Sequence, residues 1–355
     1  AKALSRLVDL DIIAPVSYFP FLKGNPLSAS EMFNGLKIEH PSYLACPNIL
    51  WHKKWVPYYL ALKNFWDSKA SNIDILHIEW IYPDAFAAIK FAKKYNLKTV
   101  SIVHGNEAIG YFDECSHRVK YIEAFRGLDK IIVVSEDLRY KLTHEYNVPD
   151  EKITVVHNGV DLDKFPVLKR EEARSKLGLS SDSTFGVCVA RLSQEKNLDV
   201  LIEAVSTLNG EAPVIYIIGD GPLRSMLDSL IKKFNVSDRI RLLGSMPHNE
   251  IHWWLNAANF FCLPSQREGC PVVIHEALAC GLPVISTTVG AIPELINDDS
   301  YGFLCPPSDV QELAFILRKA VKKYWDRHSI TAYGRQFTWD MVAAQTVRVY
   351  EDIVK

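Results

Sequence analysis

Short β-branched runs alternate with helical patterns along both halves of this chain. In the first half, apolar stretches at 10–15, 73–78, 98–103, 130–134 and 153–156 predict strands, and periodic stretches near 83–95 and 135–146 predict helices. In the second half, strands are expected at 184–190, 214–218, 240–243, 259–263, 283–286 and 302–305. Helices are expected near 197–208, 222–234, 248–257, 271–280 and 308–323. Such alternation implies parallel sheets covered on both faces, hence an α/β chain of two Rossmann-like domains. The polar stretch 161–183, with its Lys-Arg-Glu-Glu run, reads as the linker. It separates a first domain at 1–163 from a second at 164–338, and 339–355 reads as a closing helix.

Composition narrows the function without naming it. A chain of 355 residues suits two domains with separate cores. A net charge of -2 supplies no basic field for nucleic acid. Seven cysteines lie without a Cys-x-x-Cys pair, which points to reduced thiols and a cytoplasmic setting. No apolar run approaches the ~20 residues that span a bilayer.

The densest chemistry is Glu268-Gly-Cys-Pro-Val-Val-Ile-His-Glu276, followed by Gly281. Its grammar is strand, tight loop and helix: 259–263 is a buried strand, Pro271 suits a first helical position, and Gly281 stops the helix. Glu268 then lies in the loop above a helix N-terminus and Glu276 in the helix's second turn. The N–H groups of Val272 and Val273 would point at an anion in the mouth. A carboxylate on each side of such a helix end suits phosphates flanked by polyols, as in a nucleotide-sugar.

With Val189-Ala-Arg191-Leu-Ser-Gln-Glu-Lys196-Asn197, Ile218-Gly219-Asp-Gly-Pro-Leu223, Ser135-Glu-Asp-Leu138 and His157-Asn-Gly-Val-Asp161, this stretch resembles the retaining glycosyltransferases of the GT-B fold, family-4 (group 1) type. The similarity runs through nearly the whole chain. It implies two Rossmann-like domains facing across a cleft, with 339–355 crossing back onto the first. It also implies a UDP- or GDP-sugar donor and a saccharide or lipid-linked saccharide acceptor, as in polysaccharide-assembly enzymes of the teichuronic-acid and capsule types. Glu268 would hold donor-sugar hydroxyls and Glu276 the ribose. The loop at Met246 would lie against the nucleobase, Gly219 would let backbone approach the donor, and His104 would sit over the donor sugar.

Transfer leaves negative charge on a diphosphate. Asp9-Leu-Asp11 and Asp161-Leu-Asp163 could suggest a metal, but both read as chance triplets, so no metal and no cofactor are expected. Arg191 and Lys196, at a strand's C-terminal end, would neutralise that charge instead. Pro271 has no N–H, so sugar contacts there would come from Gly269, Cys270 or Val272. Family members often carry a polar residue where Val272 stands.

Two further stretches carry expectations. Residues 49–69 hold Trp51, Trp55, Tyr58, Tyr59, Leu62, Phe65 and Trp66 near helical spacing, interleaved with lysines. They read first as a core-packed helix, and alternatively as a peripheral contact with anionic lipid at the inner membrane face. The chain opens inside a helical pattern at 1–7 and passes straight to a strand, which suggests that the first strand and Gly loop of the family are missing and that transfer would be weak without them. On that reading 35–44 is the single strand that follows. The alternative takes 11–24 as the first strand and loop. A sugar-nucleotide epimerase or hydrolase, using Glu107, Asp113 and Glu114 near His104, is the rival enzyme class, and a catalytically impaired nucleotide-sugar-binding protein the rival outside catalysis.

Overall fold

Residues 1–18, 29–45, 53–105 and 115–354 are described by a computed structural model. They form two units, Ala1–Val156 with Val342–Lys355, and His157–Met341. The division falls at Val156/His157, ahead of the 163/164 boundary read from polarity. Its cause is local bonding: Asn158 Nδ2 donates to the Cys270 carbonyl at 2.7 Å, and Val160 N donates to the Phe337 carbonyl at 2.9 Å, so 157–163 belongs to the second unit.

In the first unit the strands are β1 (Ile12–Ile13), β2 (Val16–Tyr18), β3 (Ser30–Phe33), β4 (Leu36–Glu39) and β5 (Ser42–Leu44). Helix α1 (Trp55–Lys69), β6 (Ile75–Ile78), α2 (Phe86–Tyr95), β7 (Lys98–Val103), α3 (Cys115–Gly127), β8 (Lys130–Val133), α4 (Glu136–Tyr146) and β9 (Ile153–Val155) follow. Strands β6-β7-β8-β9 make one parallel sheet in chain order. The early strands form two smaller sheets, β1-β4-β3 and β2-β5, so among the described residues none of 1–18 joins the four-stranded sheet. The single strand expected at 35–44 is broken, because β3 and β4 form a hairpin whose turn is Asn34-Gly35, both at positive φ.

The aromatic face of α1 is turned inward. Tyr58, Leu62 and Trp66 are buried, Trp66 lies 5.0 Å from the Phe91 ring and Trp55 lies 5.4 Å from Phe86. Tyr58, Leu62 and Trp66 thus pack in the unit, while Trp55, Tyr59 and Phe65 are half-buried. The part of the 49–69 stretch at 49–52 lies outside the described residues, as do Glu107, Asp113 and Glu114.

The second unit is more regular. It runs α5 (Arg170–Leu177), β10 (Phe185–Val189), α6 (Leu198–Thr207), β11 (Val214–Ile218), α7 (Arg224–Lys233), β12 (Ile240–Gly244), α8 (His248–Ala257), β13 (Phe260–Leu263), α9 (Val272–Ala279), β14 (Val284–Thr287), α10 (Ile292–Leu295), β15 (Gly302–Cys305), α11 (Val310–Lys322) and α12 (Arg327–Gly334). The final helix α13 (Trp339–Val354) returns to the first unit. There Val349 and Tyr350 pack with Val100, Ile132 and Val156.

The six strands of the second unit are parallel and ordered β12-β11-β10-β13-β14-β15, so the order reverses between β10 and β13. The central strands are apolar because both faces are covered: Cys188, Ile217, Cys262 and Ile285 lie in one core with Leu201, Ile202 and Leu317 from the helices. The Phe260 ring occupies the space beside Gly186, where a Cβ would meet it at 2.3 Å. The supposed linker contains α5. A hydropathy pattern misses it because it docks by polar contacts: the Arg174 guanidinium is buried and donates to the Ala257 carbonyl and to Asn259 Oδ1, each at 3.0 Å.

Candidate functional site

Ligands of open α/β sheets collect at the C-terminal edge, where the strand order reverses. Here that point lies between β10 and β13, and the loops leaving these two strands carry the candidate residues. Arg191 stands just beyond β10 and is exposed. Lys196 closes the short turn Gln194–Lys196 that follows. Glu268 lies in the loop that joins β13 to α9.

Across the reversal point the Lys196 ammonium meets Glu268 Oε1 at 2.7 Å, with side chains 20% and 8% exposed. Ser265 Oγ donates to the same oxygen at 2.6 Å. Both bonds land on Oε1. An ammonium has three donors, so the bond to Glu268 uses one of them. The pair therefore offers a cation and a carboxylate side by side, half shielded from water. In that setting a charge interaction is stronger than on an open surface.

The Glu268 loop is held from several sides. Asn158 N–H points at Cys270 Sγ at 3.4 Å, and Cys270 Sγ lies 3.3 Å from His275 Nε2. Burial pushes the Cys270 thiol up to about 12, against the Asn158 N–H, and drives His275 down to about 3. Both are neutral, structural groups at neutral pH. Ala291 N donates to the Gly269 carbonyl at 2.7 Å. Gly290 makes that approach possible: it sits at φ +54°, and a Cβ there would meet the Glu268 and Gly269 carbonyl oxygens at 2.4 and 2.5 Å.

Helix α9 begins at Val272, with Pro271 at the N-cap (φ -70°, ψ 113°) instead of the first helical position. The N–H groups of Val272 and Val273 have no acceptor within the helix, whereas Ile274 N donates to the Pro271 carbonyl at 3.0 Å. Glu276, one turn further on, is buried, and its Oε1 lies 2.8 Å from His248 Nε2 at the start of α8. Burial raises the Glu276 carboxyl above the ordinary carboxylate range, with His248 and then Lys164 opposing.

The glycines of 219–222 serve the sheet itself. Gly219, at φ +141°, pairs its N–H with the Gly244 carbonyl at 2.8 Å, and a Cβ there would meet the Ala190 carbonyl oxygen at 1.9 Å. Their close approach is thus to the loop that carries Arg191, a reason the motif alone did not disclose. Met246 follows β12 in the short loop before α8 and is half-buried. Asp161 Oδ1 accepts from Asp163 N at 3.2 Å, so that Asp-x-Asp triplet closes a turn.

His104 belongs to the other unit, one residue past β7, and its Nε2 lies 2.8 Å from Glu79 Oε2. Sequence reasoning missed Ser265, His248, Gly290 and Asn158 as parts of the site. For Asn158 the signal existed, in the His-Asn-Gly-Val-Asp motif. For the others only the fold brings them to the two glutamates.

Two family descriptions divide the chain between them. Residues 1–164 match Glycosyltransferase Family 4, and residues 169–337 match Glycosyl transferases group 1. The amylovoran biosynthesis glycosyltransferase AmsK of Erwinia amylovora is 33% identical over 260 residues, covering 71% of this chain and 62% of that protein. Sucrose-phosphate synthase from Thermosynechococcus elongatus superposes with a TM-score of 0.81 at 19% identity, over 99% of this chain and 90% of its own. HepE of Anabaena, solved in complex with UDP, superposes with a TM-score of 0.74 at 18% identity, over 89% and 86%. The two α/β units have the GT-B fold of these structures.

Proposed function

The chain belongs to the glycosyltransferases, with a family 4 half and a group 1 half, and we propose that it moves a hexose-type sugar from a UDP- or GDP-sugar to a saccharide or lipid-linked saccharide with retention of configuration. The observation that carries this reading is the Lys196–Glu268–Ser265 cluster at the reversal point of the sheet. Lysine and serine occupy Glu268 Oε1, which directs the other carboxylate oxygen to the sugar hydroxyls. The remaining ammonium donors of Lys196, the Arg191 guanidinium and the first-turn N–H groups of α9 stabilise the departing diphosphate. Glu276, with a raised affinity for its proton, binds the ribose. The loop at Met246 faces the base, and His104 contacts the donor sugar.

The group neutralising the leaving phosphate is protein cation, so the reaction runs without a metal. The kinship with AmsK, named for amylovoran biosynthesis, supports a role in surface polysaccharide assembly, and HepE with its UDP favours a uridine donor. The setting is the cytoplasm, where nucleotide-sugar donors are made. The test is a melting-temperature screen with UDP-glucose, UDP-N-acetylglucosamine, UDP-galactose and GDP-mannose. The donor that stabilises most then enters a transfer assay with the anomeric configuration of the product read by NMR. Inversion, or turnover lost to EDTA and restored by manganese, overturns the mechanism. Stabilisation by none of these donors overturns the donor assignment.

A further inference from the structure

We propose that Glu79 is a positioning residue for His104, fixing the proton on Nε2 and making Nδ1 the acceptor nitrogen of the neutral ring. This rests on the reading of His104 as a donor-sugar contact. His104 Nε2 and Glu79 Oε2 are 2.8 Å apart, and the two residues follow the adjacent parallel strands β7 and β6. A carboxylate accepts, so this contact places the ring proton on Nε2.

Behind the pair, Glu79 Oε1 lies 3.7 Å from Nε2 of His77, beyond hydrogen-bond reach, and His77 Nδ1 lies 2.5 Å from the Tyr350 hydroxyl on α13. Burial raises the Tyr350 hydroxyl far above the ordinary phenol range, with Glu79 adding to the effect, so it stays protonated and donates to Nδ1. The His77 proton is then on Nε2, turned toward the carboxylate. Burial also depresses His77, which keeps that ring neutral. Desolvation opposes the Glu79 charge, but the hydrogen bond from His104 leads the causes that outweigh it and hold the carboxyl below its usual range. Tyr350 sets the tautomer of His77 and Glu79 that of His104, and rotation of the His104 ring would break a charge-assisted bond.

The test combines the tautomer with kinetics. In protein labelled with ¹⁵N-histidine, the His104 resonances, assigned by their loss in His104→Ala, should show a single Nε2-protonated tautomer. In Glu79→Ala they should show a mixture. Hydrolysis of UDP-glucose, read as UDP release, should fall in kcat by roughly ten- to a hundredfold in Glu79→Ala with KM little changed. Glu79→Gln, which keeps an acceptor oxygen at the same reach, should recover much of that loss. In the His104→Ala background, Glu79→Ala should cost nothing further, because the carboxylate acts through a ring no longer present. An equal loss in both backgrounds, or an unchanged tautomer in Glu79→Ala, overturns the proposal while leaving His104's own role intact. Full turnover in His104→Ala instead overturns the role of His104, and with it the kinetic consequence of the pair.

Discussion

The two glutamates of one helix–loop unit live in different electrostatic surroundings. Glu268 has a lysine and a serine on a single oxygen and sits in a loop braced by Asn158, Gly290 and Ala291. Glu276, a turn into α9, has the His248 imidazole against its Oε1 at 2.8 Å. A lysine keeps its charge across the neutral range, whereas a histidine does not. On the proposed function, the first glutamate is held ready for charge that develops during reaction, and the second serves as a binding contact. Preorganisation at the first is the property that lowers a barrier, because it costs no rearrangement when the bond breaks.

The largest effect should come from Lys196→Ala. Removing the ammonium takes away a donor to the leaving phosphate and leaves Glu268 without its cation, so kcat should fall by ~10²-fold or more. Steady-state transfer with the stabilising donor measures it, and undiminished turnover would make the pair a structural bridge only. Next, Gly290→Ala should displace the Glu268 loop, since the new Cβ meets backbone oxygens that cannot step aside. A cost of about 2 kcal/mol lowers the Tm by roughly 5 °C. A wild-type Tm would show that the bracing is dispensable.

Glu276→Gln should sharpen the contrast by raising the donor KM about tenfold with kcat nearly unchanged, the signature of uniform binding. It should also alter the stability profile. Because burial raises this carboxyl, the folded unit holds its proton more tightly than the unfolded chain. The resulting stability is present below the ordinary carboxylate range and is lost as pH rises through the raised value. The Gln variant should therefore gain on the wild type as pH rises above the ordinary carboxylate range, and melting curves that stay parallel there would refute the assignment. The smallest effect belongs to His248→Ala, a change of a few-fold in UDP affinity by calorimetry, because Glu276 loses the imidazole 2.8 Å from its Oε1. An affinity identical to wild type would separate His248 from the site.

How much of this could be read from the chain depends on the range of the interactions. Strands β10 to β15 were legible because each is a largely apolar run, with β11, β13 and β15 closed by Gly219, Pro264 and Pro306, and covering both sheet faces allows little else. Helix α5 was not legible, since its docking rests on Arg174 reaching Ala257 and Asn259. A buried arginine reads as surface until its partners are known. The hairpin of β3 and β4 was missed although Asn34-Gly35 is a hairpin signal, because the apolar stretch was taken as continuous. At the site, Glu268, Glu276, Arg191 and Lys196 were found by motif, while Ser265, Gly290 and His248 carry no mark of their own.

Local sequence was enough for most of the elements, for the two-unit α/β plan and for the chemical types at the sheet's C-terminal edge, because periodicity, turn chemistry and helix ends are decided by neighbours in the chain. Tertiary structure alone decided which charges meet. Lys196 and Glu268 come from loops of strands that are adjacent in the sheet but not in sequence, and His248 reaches Glu276 from another helix. Likewise, His104 and Glu79 face each other because β6 and β7 are paired in register. Hydrogen bonds and ion pairs fall off within a few ångströms, so the chain cannot choose among its many carboxylates and cations until the sheet order has placed them.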